Sequence, residues 1–144
     1  MNFIIKELKS VNNPNSVHGI YPYRGKISAL DAEKILSQMP TGSVVLDPFC
    51  GSGTIVYEGL RFGHKTIGID ANPIAVALSK GKISIPVNID DVNNELELYI
   101  KKCTCREYDG EIPEYPKSLF HEKSINQIMN MAQFYEEMSD YLKA

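Results

Sequence analysis

The sequence predicts an α/β protein: an incomplete doubly wound parallel sheet followed by a helical C-terminal segment. Three observations predict it. Two short apolar runs of strand type, at residues 43–46 and 66–69, flank a run with helical spacing. Gly51-Ser52-Gly53 opens that helical run directly after the first strand, and Asp70 closes the second strand. Past residue 82 the spacing turns helical again, at 91–102 and at 125–142.

Residues 1–17 read as a polar N-terminal arm, with a loop at Asn12-Asn13-Pro14-Asn15-Ser16. Residues 30–39 read as a helix: Leu30, Ile35, Leu36 and Met39 fall mostly on one face, Asp31 and Glu33 suit the helix dipole near the start, and Pro40 stops it. Thr41-Gly42 is turn chemistry. Ser43-Val44-Val45-Leu46 is an apolar run of the kind found in a buried parallel strand. Residues 54–62 then read as a helix with Thr54 as a possible cap, with Ile55, Val56, Gly59 and Leu60 toward the sheet, and with Gly63 to end it. Thr66-Ile67-Gly68-Ile69 is the second strand. Asn72 caps a third helix whose first residue is Pro73, with Ile74, Val76, Ala77 and Leu78 as its apolar positions. Strand, loop, helix, strand, acid and helix, in that order, make a right-handed mononucleotide-binding unit. Residues 83–89 read either as a strand or as an extended connection. Residues 125–142 read as one helix with Ile125, Ile128, Met129, Ala132 and Tyr135 on one side.

Composition narrows the class. The 144 residues, 43% hydrophobic, suffice for one ordinary core. The longest apolar runs fall far short of the roughly eighteen residues that span a bilayer. Lys6 and Lys9 come too early for a secretory leader, so a cytoplasmic protein without a membrane association is expected. A net charge of −3 lacks the basic footprint of a self-sufficient nucleic-acid-binding domain. Three cysteines, an odd number, predict reduced thiols rather than a disulfide framework. Cys103-Thr104-Cys105 lacks a completing pair at metal spacing, so no metal site is expected. Glu95, Glu97 and Glu107 read as a solvated face, and His64 and His121 as surface or packing residues.

A glycine-rich turn between a strand and a helix lets backbone N–H groups approach a ligand, and the helix N-terminus adds partial positive charge. Gly51 and Gly53 provide that turn, although any tight strand-to-helix turn could use the same pair. Asp70 stands roughly twenty residues on, where a carboxylate reaches the ribose hydroxyls of an adenosine cofactor; the alternative is a plain helix-entry carboxylate. The loop lacks the Gly-x-Gly-x-x-Gly pattern of dinucleotide folds, and no Gly-Lys-Ser/Thr is present, so NAD and ATP fit poorly.

Asp47-Pro48-Phe49-Cys50-Gly51-Ser52-Gly53-Thr54 resembles the first motif of N4-cytosine and N6-adenine DNA methyltransferases, and Gly68-Ile69-Asp70-Ala71-Asn72-Pro73 resembles their second. The resemblance implies a partial Rossmann-like fold that uses S-adenosyl-L-methionine. It implies that Asp47, Pro48, Phe49, Gly51, Gly53 and Thr54 line the methionine part, that Asp70 holds the ribose, and that Asn72, Pro73 and Ile74 border the adenine. A similar loop occurs in tRNA guanine-N2 methyltransferases. The segment His18-Gly19-Ile20-Tyr21-Pro22-Tyr23-Arg24-Gly25-Lys26 resembles the cofactor-side motif that precedes the loop in one group of DNA methyltransferases, which favours DNA. It departs from that motif at Tyr21, Arg24 and Ile27, where a second His, a Pro and a Phe are common. By this resemblance Lys26 is a partner for the cofactor carboxylate, or else a solvated lysine; Tyr23 is a cofactor contact or a packing residue.

Amino-group methylation in that family uses a further motif, a polar residue followed by Pro-Pro and an aromatic, that orients the target amine of a flipped base. None of the eight prolines is adjacent to another, so no catalytic residue is assigned. Tyr115-Pro116 and Phe120-His121 resemble the region between the second and catalytic motifs. The expected organisation is therefore an arm (1–17), a cofactor-binding β-α-β unit with its preceding motif (18–82), and a mainly helical extension of the same domain (83–144). The expected function is the cofactor-binding portion of a site-specific DNA methyltransferase, inactive alone, whose partner is a second chain carrying the catalytic motif and target-recognition region. DNA is engaged through the assembled enzyme. The rival readings are an inactive remnant or regulatory binding module, prone to self-association through an open sheet edge, and a tRNA methyltransferase fragment.

Overall fold

The computed structural model describes residues 17–144 apart from residues 20, 85 and 106, so the arm up to residue 16 lies outside the described residues. The chain divides into two compact units, one reaching Ile85 and the other spanning Pro86–Lys143.

In the first unit, a 3-10 turn (Val17–Gly19) precedes α1 (Ala29–Leu36), β1 (Val44–Asp47), α2 (Thr54–Arg61), β2 (Lys65–Gly68) and α3 (Pro73–Ile83). Ser28 caps α1 by accepting from the Asp31 N–H at 3.1 Å, a start signal the apolar spacing alone did not reveal. The helix ends at Leu36 rather than Met39, and Gln38 and Met39 instead donate to Ile35 and Leu36 in tighter 3-10 fashion. Pro40 explains this, because a residue before proline is pushed out of the helical region. Ala32 and Leu36 are buried, whereas Leu30 is exposed.

β1 and β2 pair in parallel, with Val44 opposite Lys65 and Leu46 opposite Ile67. Both strands differ by one residue from the expected runs. Ser43 folds into the preceding turn, its Oγ donating to the Pro40 carbonyl at 2.6 Å, and Asp47 joins the strand end. The sequence predicts β1 to be buried, and it is not. Only the Val45 and Thr66 face is packed, beneath α2. A Cβ on Gly59 would stand 2.5 Å from the Thr66 side chain, and one on Gly68 2.7 Å from Val56, so two glycines permit this close helix-to-strand approach. The opposite face stays open: Val44, Leu46 and Ile67 are 64%, 58% and 51% exposed, and Ile69 follows at 55%. Of the residues expected to face the sheet from α2, Val56 and Gly59 do so, whereas Leu60 is exposed.

Asn72 caps α3, its Oδ1 accepting from the Ile74 N–H at 3.0 Å, and Pro73 is the first helical residue. Of the expected apolar positions Leu78 is buried, Val76 and Ala77 are half-buried and Ile74 is exposed; Ala75, Ser79 and Gly81 complete the buried side. Ile83 ends this helix, and none of the described residues from 84 to 88 lies in a strand.

The second unit is helical: α4 (Ile89–Thr104), α5 (Glu114–Leu119), α6 (Glu122–Gln133), a 3-10 turn (Tyr135–Glu137) and α7 (Asp140–Lys143). Asn88 caps α4 through the Asp90 N–H. α4 and α6 pack together, with Tyr99 and Cys103 of the one and Ile125 and Asn130 of the other buried. Asn130 Nδ2 donates to the Cys103 carbonyl at 3.3 Å. The single helix expected over 125–142 is instead broken twice. Met138 is extended, the Ser139 N–H is drawn to Glu95 Oε1 at 2.7 Å, and Ser139 Oγ accepts from Leu142 to begin α7. Apolar spacing continues through such a break, which is why periodicity alone missed it. Among the described residues, no helix is long and apolar enough to cross a membrane.

Candidate functional site

The loop from Asp47 to Thr54 is set by backbone pairing that runs past the strands. The Ile69 N–H donates to the Asp47 carbonyl at 2.9 Å and the Cys50 N–H to the Ile69 carbonyl at 3.0 Å. The Gly53 N–H closes the turn on the Cys50 carbonyl at 2.8 Å, and Asp47 Oδ1 accepts from the Phe49 N–H at 3.2 Å. Gly51 and Gly53 hold φ of 51° and 76°, the left-handed region that favours glycine. Space imposes the same choice. A Cβ on Gly51 would lie 3.0 Å from the Tyr23 ring, and one on Gly53 3.0 Å or less from the Ser79 side chain and Cα.

Gly53 is the N-cap of α2 and brings no side-chain acceptor, so Thr54 is the first helical residue and not the cap the sequence suggested. Thr54 is buried, and its Oγ1 has no hydrogen-bond partner among the described residues. A buried hydroxyl without a partner beside uncapped helix N–H groups leaves donors and an acceptor for a polar ligand.

Asp70 ties the two strand ends together. Its Oδ2 accepts from the Gly51 N–H and its Oδ1 from the Asn72 N–H, both at 2.8 Å. These N–H donors, Asn72 foremost and then Gly51, hold its carboxyl below the usual carboxylate range. A carboxylate has about four acceptor positions, so capacity remains for a ligand hydroxyl beside these backbone donors.

A cavity of about 430 Å³ opens at these strand ends. Of the residues predicted from sequence, Tyr23, Lys26, Asp47, Phe49, Gly51, Thr54 and Asp70 line it. Gly25, Ile27, Cys50 and Ile55 line it too, and were not singled out. Pro48, Gly53, Asn72, Pro73 and Ile74 are not among its walls. Gly53 instead abuts Ser79, and the Asn72 side chain is engaged in capping α3. Phe49, 86% exposed, offers an open aromatic face at the rim.

A polar network stands beside the loop, and most of it was not legible beforehand. His18 Nε2 meets Glu58 Oε1 at 2.7 Å, and Arg61 donates to Glu58 Oε2 at 2.7 Å and to Glu33 at 3.2 Å. Glu58, 1% exposed, lies on the buried side of α2. Burial lowers the His18 pKa, partly offset by its bond to Glu58, which keeps the imidazole neutral at neutral pH. Lys26 Nζ donates to the His18 carbonyl and, at 3.5 Å, to that of Tyr21. From α3, Ser79 Oγ donates to the Gly51 carbonyl at 2.8 Å and Lys82 Nζ to Ser52 Oγ at 3.3 Å. A glutamate within the apolar spacing of α2 was the one available sign of this network.

The arrangement fits a ligand with an anionic end near Lys26 and hydroxyls near Asp70.

Comparison with known proteins places the first unit in a family. A family model described as DNA methylase, of the N6 and N4 type, matches residues 9–81. The type II methyltransferase M.MjaII of Methanocaldococcus jannaschii is 37% identical over 68 residues, 46% of this chain and 13% of its own length. The type II methyltransferase M.MvaI of Kocuria varians is 36% identical over 66 residues, 44% of this chain and 14% of its own length. The chain thus spans about one seventh of the length of these relatives. A probable tRNA (guanine(10)-N2)-dimethyltransferase of Methanothermococcus thermolithotrophicus is 26% identical over 115 residues, 75% of this chain and 68% of its own. No solved structure matches. The matched segment contains the glycine turn, Asp70 and the Lys26 segment, and the chain belongs to the N6/N4 DNA methylase family.

Proposed function

We propose that this chain is the S-adenosylmethionine-binding portion of a DNA methyltransferase that methylates an exocyclic amino group, adenine N6 or cytosine N4. The observation that carries this reading is the cavity at the ends of β1 and β2. There the unpartnered Thr54 hydroxyl, the glycine turn and the Asp70 carboxylate converge. In the proposed pose, Asp70 accepts from the ribose hydroxyls, Gly51 and Thr54 face the methionine part, and Lys26 meets its carboxylate. Asn72, Pro73 and Ile74, outside the cavity's walls, would border the adenine end. The fold of the first unit would then be the opening part of a Rossmann-like methyltransferase sheet. The cofactor supplies an activated methyl group, and this chain's residues bind and orient it.

Pro-Pro is absent from the sequence, so the groups that orient the target amine come from residues outside it, on a second chain or a further segment. That element would also contribute the grip on DNA that a net charge of −3 does not provide. The exposed row Val44, Leu46 and Ile67 is the face on which it would pack.

Calorimetric titration with S-adenosylmethionine tests the reading. The wild-type chain should bind one equivalent, and Asp70→Ala should bind roughly tenfold or more weakly through loss of charge-assisted hydrogen bonds. Equal affinity in the two proteins removes the ribose assignment. A second reading, methyl transfer to guanine N2 of tRNA, is supported by the longer alignment with the tRNA dimethyltransferase. Labelled methyl transfer by the assembled enzyme to unmethylated DNA rather than to tRNA separates the two.

A further inference from the structure

The face of α3 that grips the glycine turn carries a charge with no counter-ion among the described residues. Ser79 and Lys82 are three residues apart, on one side of the helix. Ser79 holds the Gly51 carbonyl, and Lys82 holds the Ser52 hydroxyl one residue further on. Ser52 is 2% exposed, so this contact reaches the interior of the turn itself. Among the described residues no carboxylate approaches Lys82. Its charged neighbours are like-charged or already engaged. Lys26, on the segment before the loop, repels it, and His18 beside it is bonded to Glu58 of α2, which also holds Arg61. Asp47 and Asp70 at the strand ends accept from backbone N–H groups, and Lys80 on the same helix is exposed.

We propose that Lys82, one residue past the matched family segment, is a positioning residue of the cofactor site: it braces the glycine turn through Ser52 and, with Lys26, draws an anionic ligand group toward that turn. This rests on the proposed cofactor reading. The physical logic is electrostatic. Lys26 lines the cavity and Lys82 stands behind its turn, close enough to repel each other, and among the described residues neither is paired with a carboxylate, so an anion entering at Lys26 relieves the repulsion on both. Burial, together with Lys26, has pushed Lys82 down to about 8, so its charge changes near physiological pH. Ligand binding is then linked to its protonation: Lys82 takes up a proton as the anion enters. Affinity falls as pH rises through the value of the free chain.

The test compares wild type, Lys82→Met and Lys82→Arg by calorimetric titration with S-adenosylmethionine from pH 7 to pH 9. With the free-chain value near 8, wild-type affinity should weaken about tenfold over that range. Lys82→Arg, permanently charged, should lose that component, and Lys82→Met should bind weakly at every pH without it. Titration of the cofactor's own amine is common to all three proteins and cancels in the comparison. One and the same pH slope in all three overturns the proposal. A second measurement needs no cofactor. Because the folded chain disfavours the Lys82 ammonium, the penalty is present below about 8 and fades as pH rises toward the ordinary lysine value. The ligand-free Lys82→Met chain should therefore melt above wild type at pH 7, with the gap closing by pH 10. A gap that stays constant or is absent overturns the proposal even if no cofactor binds. Failure of wild type to bind at any pH, with the melting gap present, instead counts against the cofactor reading.

Discussion

Thr54 is where the chemistry of the site is most concentrated in one side chain. Its hydroxyl is buried on the cavity wall with no partner among the described residues. Such a group costs about 1–3 kcal/mol unless something bonds to it. Thr54→Val keeps the shape and removes the hydroxyl. It is expected to raise the melting temperature of the ligand-free chain and to weaken S-adenosylmethionine binding severalfold, read by thermal melting and calorimetry on the same preparation. A variant that loses stability and keeps its affinity would show that the hydroxyl has a partner of its own. Residue-scale features of this kind were only partly legible. Gly51, Gly53 and Asp70 could be read because a left-handed turn and a strand-end carboxylate restrict residue type. Thr54 was placed at the loop by resemblance, but the burial of its hydroxyl without a partner was not legible, since a threonine at that position reads equally as a cap.

At the scale of elements, the segment before the loop is fastened to α2 by His18 and Glu58, and the loop is fastened to α3 by Ser79 and Lys82. Removing Glu58 leaves the buried His18 imidazole without its hydrogen-bond partner, so Glu58→Ala should cost about 1–3 kcal/mol, measured as a fall in the urea midpoint. Acid should loosen the same fastening. His18 is held neutral by burial, so its folded form resists protonation more than the unfolded chain does. Its contribution is complete above the ordinary imidazole value, about 6.5, and is lost as pH falls below it. The wild-type urea midpoint should drop between pH 6.5 and 5 more steeply than that of His18→Gln; parallel curves would contradict this.

Elements were legible where a cap and a periodicity coincide, as at Asn72 with Pro73, and less so where spacing stood alone. α3 illustrates the difference. Its start was clear, but its buried side turned out to be Ala75, Leu78 and Ser79, because small residues let the helix approach the glycine turn. The helix expected over 125–142 failed for a related reason: Ser139 and Glu95 form a contact between residues distant in sequence, which no local pattern reveals.

For the whole molecule, the unusual feature is a two-stranded parallel sheet with an open apolar face. Parallel sheets are ordinarily covered on both faces. The sequence pattern of β1 reads as fully buried and its observed exposure does not match, so the pattern suits a strand whose second face meets another element. The isolated chain is therefore expected to self-associate with rising concentration in sedimentation velocity. Leu46→Lys combined with Ile67→Lys should return it to monomer; a wild-type chain that stays monomeric throughout would argue that this face is not adhesive.

The central claim is that the cavity at the ends of β1 and β2 is an S-adenosylmethionine site. Backbone amide NMR of the full chain during titration with S-adenosylmethionine addresses it most directly. The account predicts saturable shifts centred on the amides of Gly51, Gly53, Thr54 and Asp70, the groups that surround the cavity and its turn. Shifts confined to the unit Pro86–Lys143, or no shifts at millimolar cofactor, would contradict it.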